Sequence, residues 1–158
     1  MTNKIFRRII RKGLRKGLRK GLRKEDGLKK NGILNAQLSQ VIASMGHKDK
    51  MTVCDSGFPI PIDVEKVDLA VSLGIPAFIE VLRAIATELV VEKVILAEEL
   101  KNTSPKFIDA IAEIFPSVEF DYISHESFKM LSKDSRAIVR SGETKPYANV
   151  ILVSGVIF

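Results

Sequence analysis

The chain is 158 residues long, with 46% hydrophobic residues, 28% charged residues and a net charge of +6. This length suits one globular domain whose core needs no disulfide or metal. No apolar run reaches the ~18–20 residues that a membrane span requires. One cysteine excludes an internal disulfide and, with only two histidines, a typical structural zinc site. A basic net charge, taken alone, indicates a nucleic-acid or membrane-surface partner.

The positive charge is concentrated at the N-terminus. Residues 1–30 contain 13 Lys/Arg and 2 Asp/Glu, a net charge of +11, whereas residues 31–158 contain 12 and 17, a net charge of −5. Three Gly-Leu-Arg-Lys repeats occupy residues 13–24. We interpret residues 1–28 as a basic extension, either a disordered or frayed tail or an amphipathic segment that binds polyanions or membrane surfaces. Residues 29–158 are then the domain.

A third interpretation is that part of the extension is not translated in the cell. Residues 24–27 can be encoded by purine-rich codons that contain a ribosome-binding sequence, and Leu28 by TTG, which bacteria also use for initiation. Initiation there would leave 131 residues (28–158) with 14 Lys/Arg and 17 Asp/Glu, a net charge of −3. The basic character would then belong to the extension alone.

Helical and strand patterns alternate from residue 35 onward. Asn35 is a good N-cap for a helix with apolar residues at i, i+3, i+4 and i+7, and Gly46 fits the left-handed position after its end. A short strand is predicted at residues 51–54. Residues 55–61, which include one glycine and two prolines, end that strand.

The rest of the chain continues the alternation. Ser104 precedes a helix with Pro105 in its first position, and Ser124 can cap a short helix without a full capping box, because Ser127 stands where an acid or amide would complete it. The predicted helices are residues 78–89, 105–114 and 125–131, and the predicted strands are residues 94–97, 118–123, 137–139 and 150–153. This order predicts an α/β fold, a three-layer α/β/α domain with a mixed, mostly parallel central sheet.

Five polar residues lie at the ends of these predicted elements: His47, Asp55, His125, Tyr147 and Asn149. Proteins of the α/β class place their sites at such ends. Asp accepts hydrogen bonds from hydroxyls, Asn donates and accepts, Tyr offers a hydroxyl and a flat face, and His can move a proton near neutral pH. The set therefore suits a polyhydroxylated ligand.

Each of these residues also has an ordinary structural interpretation. His47 can interact with its helix dipole, Asp55 can form an Asx turn, and His125 can be an exposed first-turn residue. Tyr147 and Asn149 can be strand-entry residues. The sequence has no Walker loop, G-x-G-x-x-G, G-x-S-x-G or H-E-x-x-H motif. The residues alone thus indicate an α/β domain with a small polar site.

Several motifs follow one another from residue 29 to the C-terminus. They are Lys-Lys-Asn-Gly-Ile-Leu-Asn (29–35), Gly-His-Lys-Asp (46–49), Asp-Ser-Gly-Phe-Pro-Ile-Pro (55–61), Ala-Glu-Glu-Leu-Lys (97–101), His-Glu-Ser-Phe-Lys (125–129), Ile-Val-Arg-Ser-Gly-Glu-Thr-Lys-Pro-Tyr-Ala-Asn (138–149) and Gly-Val-Ile-Phe (155–158). With these motifs, residues 29–158 resemble the family of D-ribose pyranases and L-fucose mutarotases. Residues 1–27 lie outside the resemblance.

The resemblance implies a cytoplasmic isomerase, without cofactor or metal, that interconverts the pyranose and furanose forms of free D-ribose. It also implies a homo-oligomer, a decamer of two pentamers with sites between neighbouring subunits, and neither a nucleic-acid nor a membrane partner for the domain. The proton-transferring catalytic residue of the family maps onto His47. The sugar-contacting positions map onto Asp55, His125, Tyr147, Ala148 and Asn149.

Alternatives stay open at this point. An L-fucose mutarotase is the nearest one, although residues 125–129 and 140–143 are more similar to the ribose branch. Asp55 can either orient His47 or bind a sugar hydroxyl. Outside the enzyme class, the chain can be an inactive sugar-binding module, or a nucleic-acid binder that acts through its basic extension with a strongly salt-dependent affinity.

Overall fold

A computed structural model describes residues 29–158, of which Gly32–Phe158 form a compact unit. The basic extension and its three interpretations lie outside the described residues. Across the part of the chain that is described, no helix is both long enough and apolar enough to cross a bilayer.

One sheet of six strands carries helices on both faces. The helices are α1 (Ala36–Ser44), α2 (Phe78–Ala86), α3 (Leu100–Thr103), α4 (Pro105–Ile114) and α5 (His125–Ser132). The strands are β1 (Lys50–Cys54), β2 (Glu65–Asp68), β3 (Val91–Ala97), β4 (Glu119–Ile123), β5 (Ala137–Arg140) and β6 (Val150–Ser154).

The strands lie in the order β2-β5-β1-β6-β3-β4. β5 is parallel to both β1 and β2, and β3 is parallel to β4. β6 is antiparallel to both of its neighbours, β1 and β3. Five strands therefore point one way and one points the other, which confirms the mixed, mostly parallel sheet.

Alternating side chains of the central strands divide the core in two. In β6, Val150 and Leu152 belong to one cluster, and Ile151 and Val153 belong to the other. The first cluster contains buried residues of α1, α2 and α4, and the second contains Phe128 of α5. Because helices cover both faces of the sheet, the three-layer α/β/α prediction is confirmed.

Local capping agrees with the sequence at two helices and differs after α1. The Asn35 side chain accepts from Leu38 N at 2.8 Å, and the Ser124 hydroxyl accepts from Ser127 N at 3.3 Å. The prediction that Gly46 is left-handed is wrong, since the residue with positive φ in this turn is Lys48, at 70°. The Gly46 N–H instead donates to the side chain of Asp49 (2.8 Å), so a carboxylate takes over the closing role.

Two short elements have no counterpart among the predicted ones. β2 is an edge strand in which only Val67 is buried, so its sequence lacks the apolar run or alternation that marks a strand. α3 is a single turn of four residues between β3 and α4. Both elements owe their structure to neighbours in the fold rather than to a periodic pattern of their own.

The second cluster depends on Phe128, a fully buried side chain. Replacing it with alanine leaves a cavity between α5 and the sheet, and we expect the variant to lose about 3–5 kcal/mol of unfolding free energy. Met130, on the same helix, has a side chain that is largely exposed. Met130→Ala should change stability by less than about 0.5 kcal/mol. Denaturant unfolding at equal protein concentration measures both, and equal losses would contradict this assignment of the core.

Candidate active site

A cavity of about 430 Å³ opens where β1 and β5 end and α5 begins. Parallel strands bring their carboxyl ends to one edge of a sheet, where α/β proteins bind their ligands. The cavity is lined by Asp55, Ser56, Gly57, Phe58, Pro59, His125, Glu143, Thr144, Pro146 and Tyr147. Three of the five polar candidates from the sequence thus meet in one place, namely Asp55, His125 and Tyr147.

Asp55 is fixed from inside the core by Asn149. The Asp55 N–H donates to Asn149 Oδ1 (2.9 Å), and Asn149 Nδ2 donates back to Asp55 Oδ2 (3.0 Å). The other carboxylate oxygen, Oδ1, accepts from the N–H of Gly57 at 2.9 Å. Burial raises the pKa of Asp55, and the Gly57 and Asn149 hydrogen bonds counteract that rise in part. The carboxylate is therefore held in one orientation at the cavity wall.

His125 stands at the first position of α5, beside three aromatic rings, those of Tyr147, Phe58 and Phe128. Both carboxylate oxygens of Glu99 accept from its backbone N–H, each at 3.0 Å. Its imidazole meets the ring of Tyr147 edge-on at a centroid distance of 4.9 Å and that of Phe58 at 6.2 Å. Glu99 thus anchors the start of the helix, and the aromatic rings set the orientation of the imidazole.

In the segment from Tyr147 to Asn149, the first residue lines the cavity and the other two are buried in the protein interior. Tyr147 has a positive φ of 64°, an uncommon conformation for a residue with a large side chain. Ala148 and Asn149 are fully buried and lie outside the lining of the cavity. Asn149 therefore acts on the cavity through Asp55, and Ala148 lies behind it in the core.

His47 lies at the opposite edge of the sheet. It precedes β1, whereas Asp55 follows it, and the five residues of β1 separate the two ends by about 13 Å at ~3.3 Å per residue. The imidazole is 47% exposed, and its Nε2 lies 2.9 Å from Oε2 of Glu92 on β3. Within one chain, the structure does not bring His47 to the cavity, and Asp55 does not orient it.

Three glutamates were not singled out as site residues. Glu99 and Glu143 lie inside the motifs at residues 97–101 and 138–149, on which the family resemblance rests. Their position in these motifs could have identified them as candidate site residues. Glu143 lines the cavity, and its Oε1 accepts from the N–H groups of Thr144 (2.9 Å) and Lys145 (3.0 Å). Glu92 gave no signal, because its contact with His47 depends on the register of β3 across the sheet.

The described residues contain no group of three or more His, Cys, Asp or Glu side chains that could hold a metal ion. The thiol of Cys54, directly before Asp55, is buried in the second cluster. Burial raises its pKa far above the usual range, so the thiol stays protonated. The ionisable side chains at the cavity are the carboxylates of Asp55 and Glu143, the imidazole of His125 and the phenol of Tyr147.

The cavity presents carboxylate, imidazole and phenol groups, which can hydrogen-bond to a small polyhydroxylated molecule. The chain belongs to the RbsD / FucU transport protein family, whose model matches residues 28–157. It is 48% identical over 139 residues to the D-ribose pyranase of Pasteurella multocida, a match that covers 83% of this chain and 100% of that relative. It is 47% identical over 131 residues to the D-ribose pyranase of Exiguobacterium sibiricum, with the same coverage.

Solved structures with a similar fold include the following two. The structure of Bacillus subtilis RbsD complexed with D-ribose matches with a TM-score of 0.80 and 45% identity, over 82% of this chain and 99% of that one. The crystal structure of FucU from Bifidobacterium longum matches with a TM-score of 0.67 and 26% identity, over 77% of this chain and 95% of that one.

The reciprocal hydrogen bonds between Asp55 and Asn149 predict the effect of Asn149→Ala. The variant leaves buried polar groups without partners, which should cost about 1–3 kcal/mol of unfolding free energy. It should also raise the pKa of Asp55 further, because the lost amide hydrogen bond lowers it. Carbon-13 NMR titration of the carboxyl group measures this shift.

The sign of the pH effect follows from linkage. The folded-state pKa of Asp55 lies above that of the unfolded chain, so this group makes the fold less stable as the pH rises between the two values. In Asn149→Ala the pH range between the folded-state and unfolded-state pKa values of Asp55 should widen. The control is Asn102→Ala at an exposed position of α3, which should leave the Asp55 titration unchanged. An unchanged titration in Asn149→Ala would refute the assigned role of the amide.

Proposed function

We propose that the domain of residues 29–158 is a cofactor-free isomerase that interconverts the pyranose and furanose forms of free D-ribose. The observation that carries the proposal is the cavity lined by Asp55, His125 and Tyr147, on a chain 45% identical to a protein solved with D-ribose over 99% of that protein's length. The proposal includes a cytoplasmic location and a role in ribose catabolism, as the family resemblance implies.

The cavity residues suit a sugar. The fixed carboxylate of Asp55 accepts hydrogen bonds from hydroxyls, His125 offers a ring nitrogen, and Tyr147 offers a hydroxyl and an apolar ring face. Ala148 and Asn149 complete the proposed substrate-binding segment, with Asn149 acting through its hydrogen bonds to Asp55. The greater identity to the D-ribose pyranases than to FucU favours ribose over fucose.

Interconversion of ring forms requires opening of a hemiacetal and closure through another hydroxyl. Opening removes a proton from the anomeric hydroxyl and delivers one to the ring oxygen. An imidazole with an ordinary pKa near ~6.5 can do either at neutral pH. We assign this proton transfer to His47, and general acid–base catalysis of this kind contributes about 10²–10⁴-fold. Such a factor is sufficient because sugars already interconvert slowly in water.

His47 can serve the cavity only from another subunit, because the two lie at opposite edges of the sheet. We therefore propose a homo-oligomer, a decamer of two pentamers, in which His47 of one subunit faces the cavity of its neighbour. A ring needs such head-to-tail contacts between different surfaces. Val71, Leu73 and Ile75 have exposed apolar side chains, which support an interface. They lie near the cavity, because the backbone of Ile75 lies against Gly142, which precedes the cavity residue Glu143.

The first test is His47→Ala with saturation-exchange NMR on ribose. The variant should fold normally, since the side chain is half-exposed, and should lose most of the ring exchange. Asp109→Asn, an exposed change on α4, is the control and should retain it. Full activity in His47→Ala would refute the role of His47. The same experiment on L-fucose separates the two sugars, and faster exchange of fucose would replace ribose as the substrate.

The shared site is tested by mixing two inactive variants. His47→Ala and Asp55→Asn should each be inactive alone, whereas assemblies formed by co-expression should regain about a quarter of the sites, those in which an intact His47 faces an intact cavity. A site within one chain predicts no recovery, since every chain lacks one residue. Native mass spectrometry verifies the size and the mixed composition. Inactive mixed assemblies would exclude the shared site.

A further inference from the structure

His47 is hydrogen-bonded to a carboxylate on another strand. Its Nε2 lies 2.9 Å from Glu92 Oε2, and Lys48 Nζ donates to the other oxygen of the same carboxylate. The C-terminal end of β6 lies between the chain segments that carry His47 and Glu92. Ser154 O accepts from the Lys48 N–H at 2.9 Å, and the Gly155 N–H donates to Val90 O at 2.8 Å. Backbone hydrogen bonds therefore hold the two segments next to each other.

The backbone around His47 is also fixed. The Asp49 carboxylate accepts from the Gly46 N–H (2.8 Å) and from Arg136 Nε (2.9 Å), while the Asp49 N–H donates to Gly46 O (3.1 Å). This closed turn sets the position of the His47 Cα. The rotation of the imidazole is then the remaining freedom, and the hydrogen bond to Glu92 restricts it.

We propose that Glu92 is the positioning residue of His47, and that it selects the ring tautomer in which Nδ1 is the proton-transferring atom. An ionised carboxylate only accepts hydrogen bonds, so the nitrogen facing it, Nε2, must carry the proton. In the neutral imidazole, Nδ1 then has a free lone pair. This inference rests on the proposed function, since it assigns the reacting atom of the proposed catalytic residue.

In ring opening, a single imidazole, that of His47, can both remove and return the proton. Nδ1 takes the proton of the anomeric hydroxyl, the oxygen's electron pair forms the aldehyde C=O, and the bond from that carbon to the ring oxygen breaks. The bonding pair goes to the ring oxygen, which receives the proton back from Nδ1. Closure through a different hydroxyl repeats the transfer in reverse. His47 is neutral before and after, and is an imidazolium only between the two transfers.

Glu92 stabilises the positively charged imidazolium form of His47. The hydrogen bonds from Lys48 and His47 lower the pKa of Glu92, so its carboxylate is ionised at neutral pH. A negative charge beside Nε2 stabilises the imidazolium. Lys48 neutralises part of that charge, and the carboxylate side chain is 28% exposed, so the effect is smaller than that of a buried pair.

The test is Glu92→Gln, which keeps the shape of the side chain and removes its charge. We expect kcat for ribose ring exchange to fall about 10-fold, because a positioning residue accounts for only part of the 10²–10⁴-fold acid–base contribution, with KM little changed because Glu92 is not part of the cavity. Nitrogen-15 NMR at pH 8.5 reports the tautomer directly. The chain has only two histidines, so His47→Ala identifies the His47 signals.

The wild-type spectrum should show His47 with the proton on Nε2, and Glu92→Gln should show a mixture of tautomers. The matched control is Glu119→Gln, another carboxylate paired with a lysine (Lys93, 3.1 Å) at the sheet, which should change neither readout. An Nδ1-protonated His47 in the wild type, or an unaltered tautomer and kcat in Glu92→Gln, would overturn the inference. Absence of ring exchange in the wild type would instead refute the proposed function, and the tautomer would still be measurable.

Discussion

Strand β1 lies between β5 and β6 and is hydrogen-bonded to both, so neither its position nor its direction can change without loss of two ladders. That constraint places Gly46 to Asp49 at one edge of the sheet and Asp55 to Pro61 at the other. The cavity forms where parallel neighbours end, and the His47 turn forms where antiparallel β6 ends.

Carboxylates hold both regions in place by accepting backbone N–H groups. Asp55 accepts from Gly57, Glu99 from the first residue of α5, and Asp49 from Gly46. Each of these N–H groups lies at a turn or a helix end, where no regular backbone partner exists. Carboxylates, which can bind ligands or transfer protons, therefore also hold the loops of these two regions in fixed conformations.

The sequence predicted the periodic elements and missed those without a period. Helix α2 and the buried strands β1, β3 and β6 show clear apolar spacing, and Asn35 and Ser124 mark helix starts by their side-chain chemistry. β2 and α3 are too short or too polar to show any pattern. Of the five polar candidates from the sequence, Asp55, His125 and Tyr147 line the cavity. The separation of His47 from Asp55 follows from their positions before and after the strand predicted at residues 51–54. The contact of His47 with Glu92 could not be predicted, because it depends on strand order.

The burial of Cys54 determines whether its thiol can react with an aldehyde in the neighbouring cavity. An open-chain sugar carries a free aldehyde, and an ionised thiol is a strong nucleophile toward aldehydes, which it captures as hemithioacetals. The Cys54 thiol is fully buried beneath α5, and burial keeps it protonated through a raised pKa. A small apolar residue therefore fills the end of β1, one position from the carboxylate that faces the cavity, without offering the aldehyde a competing partner.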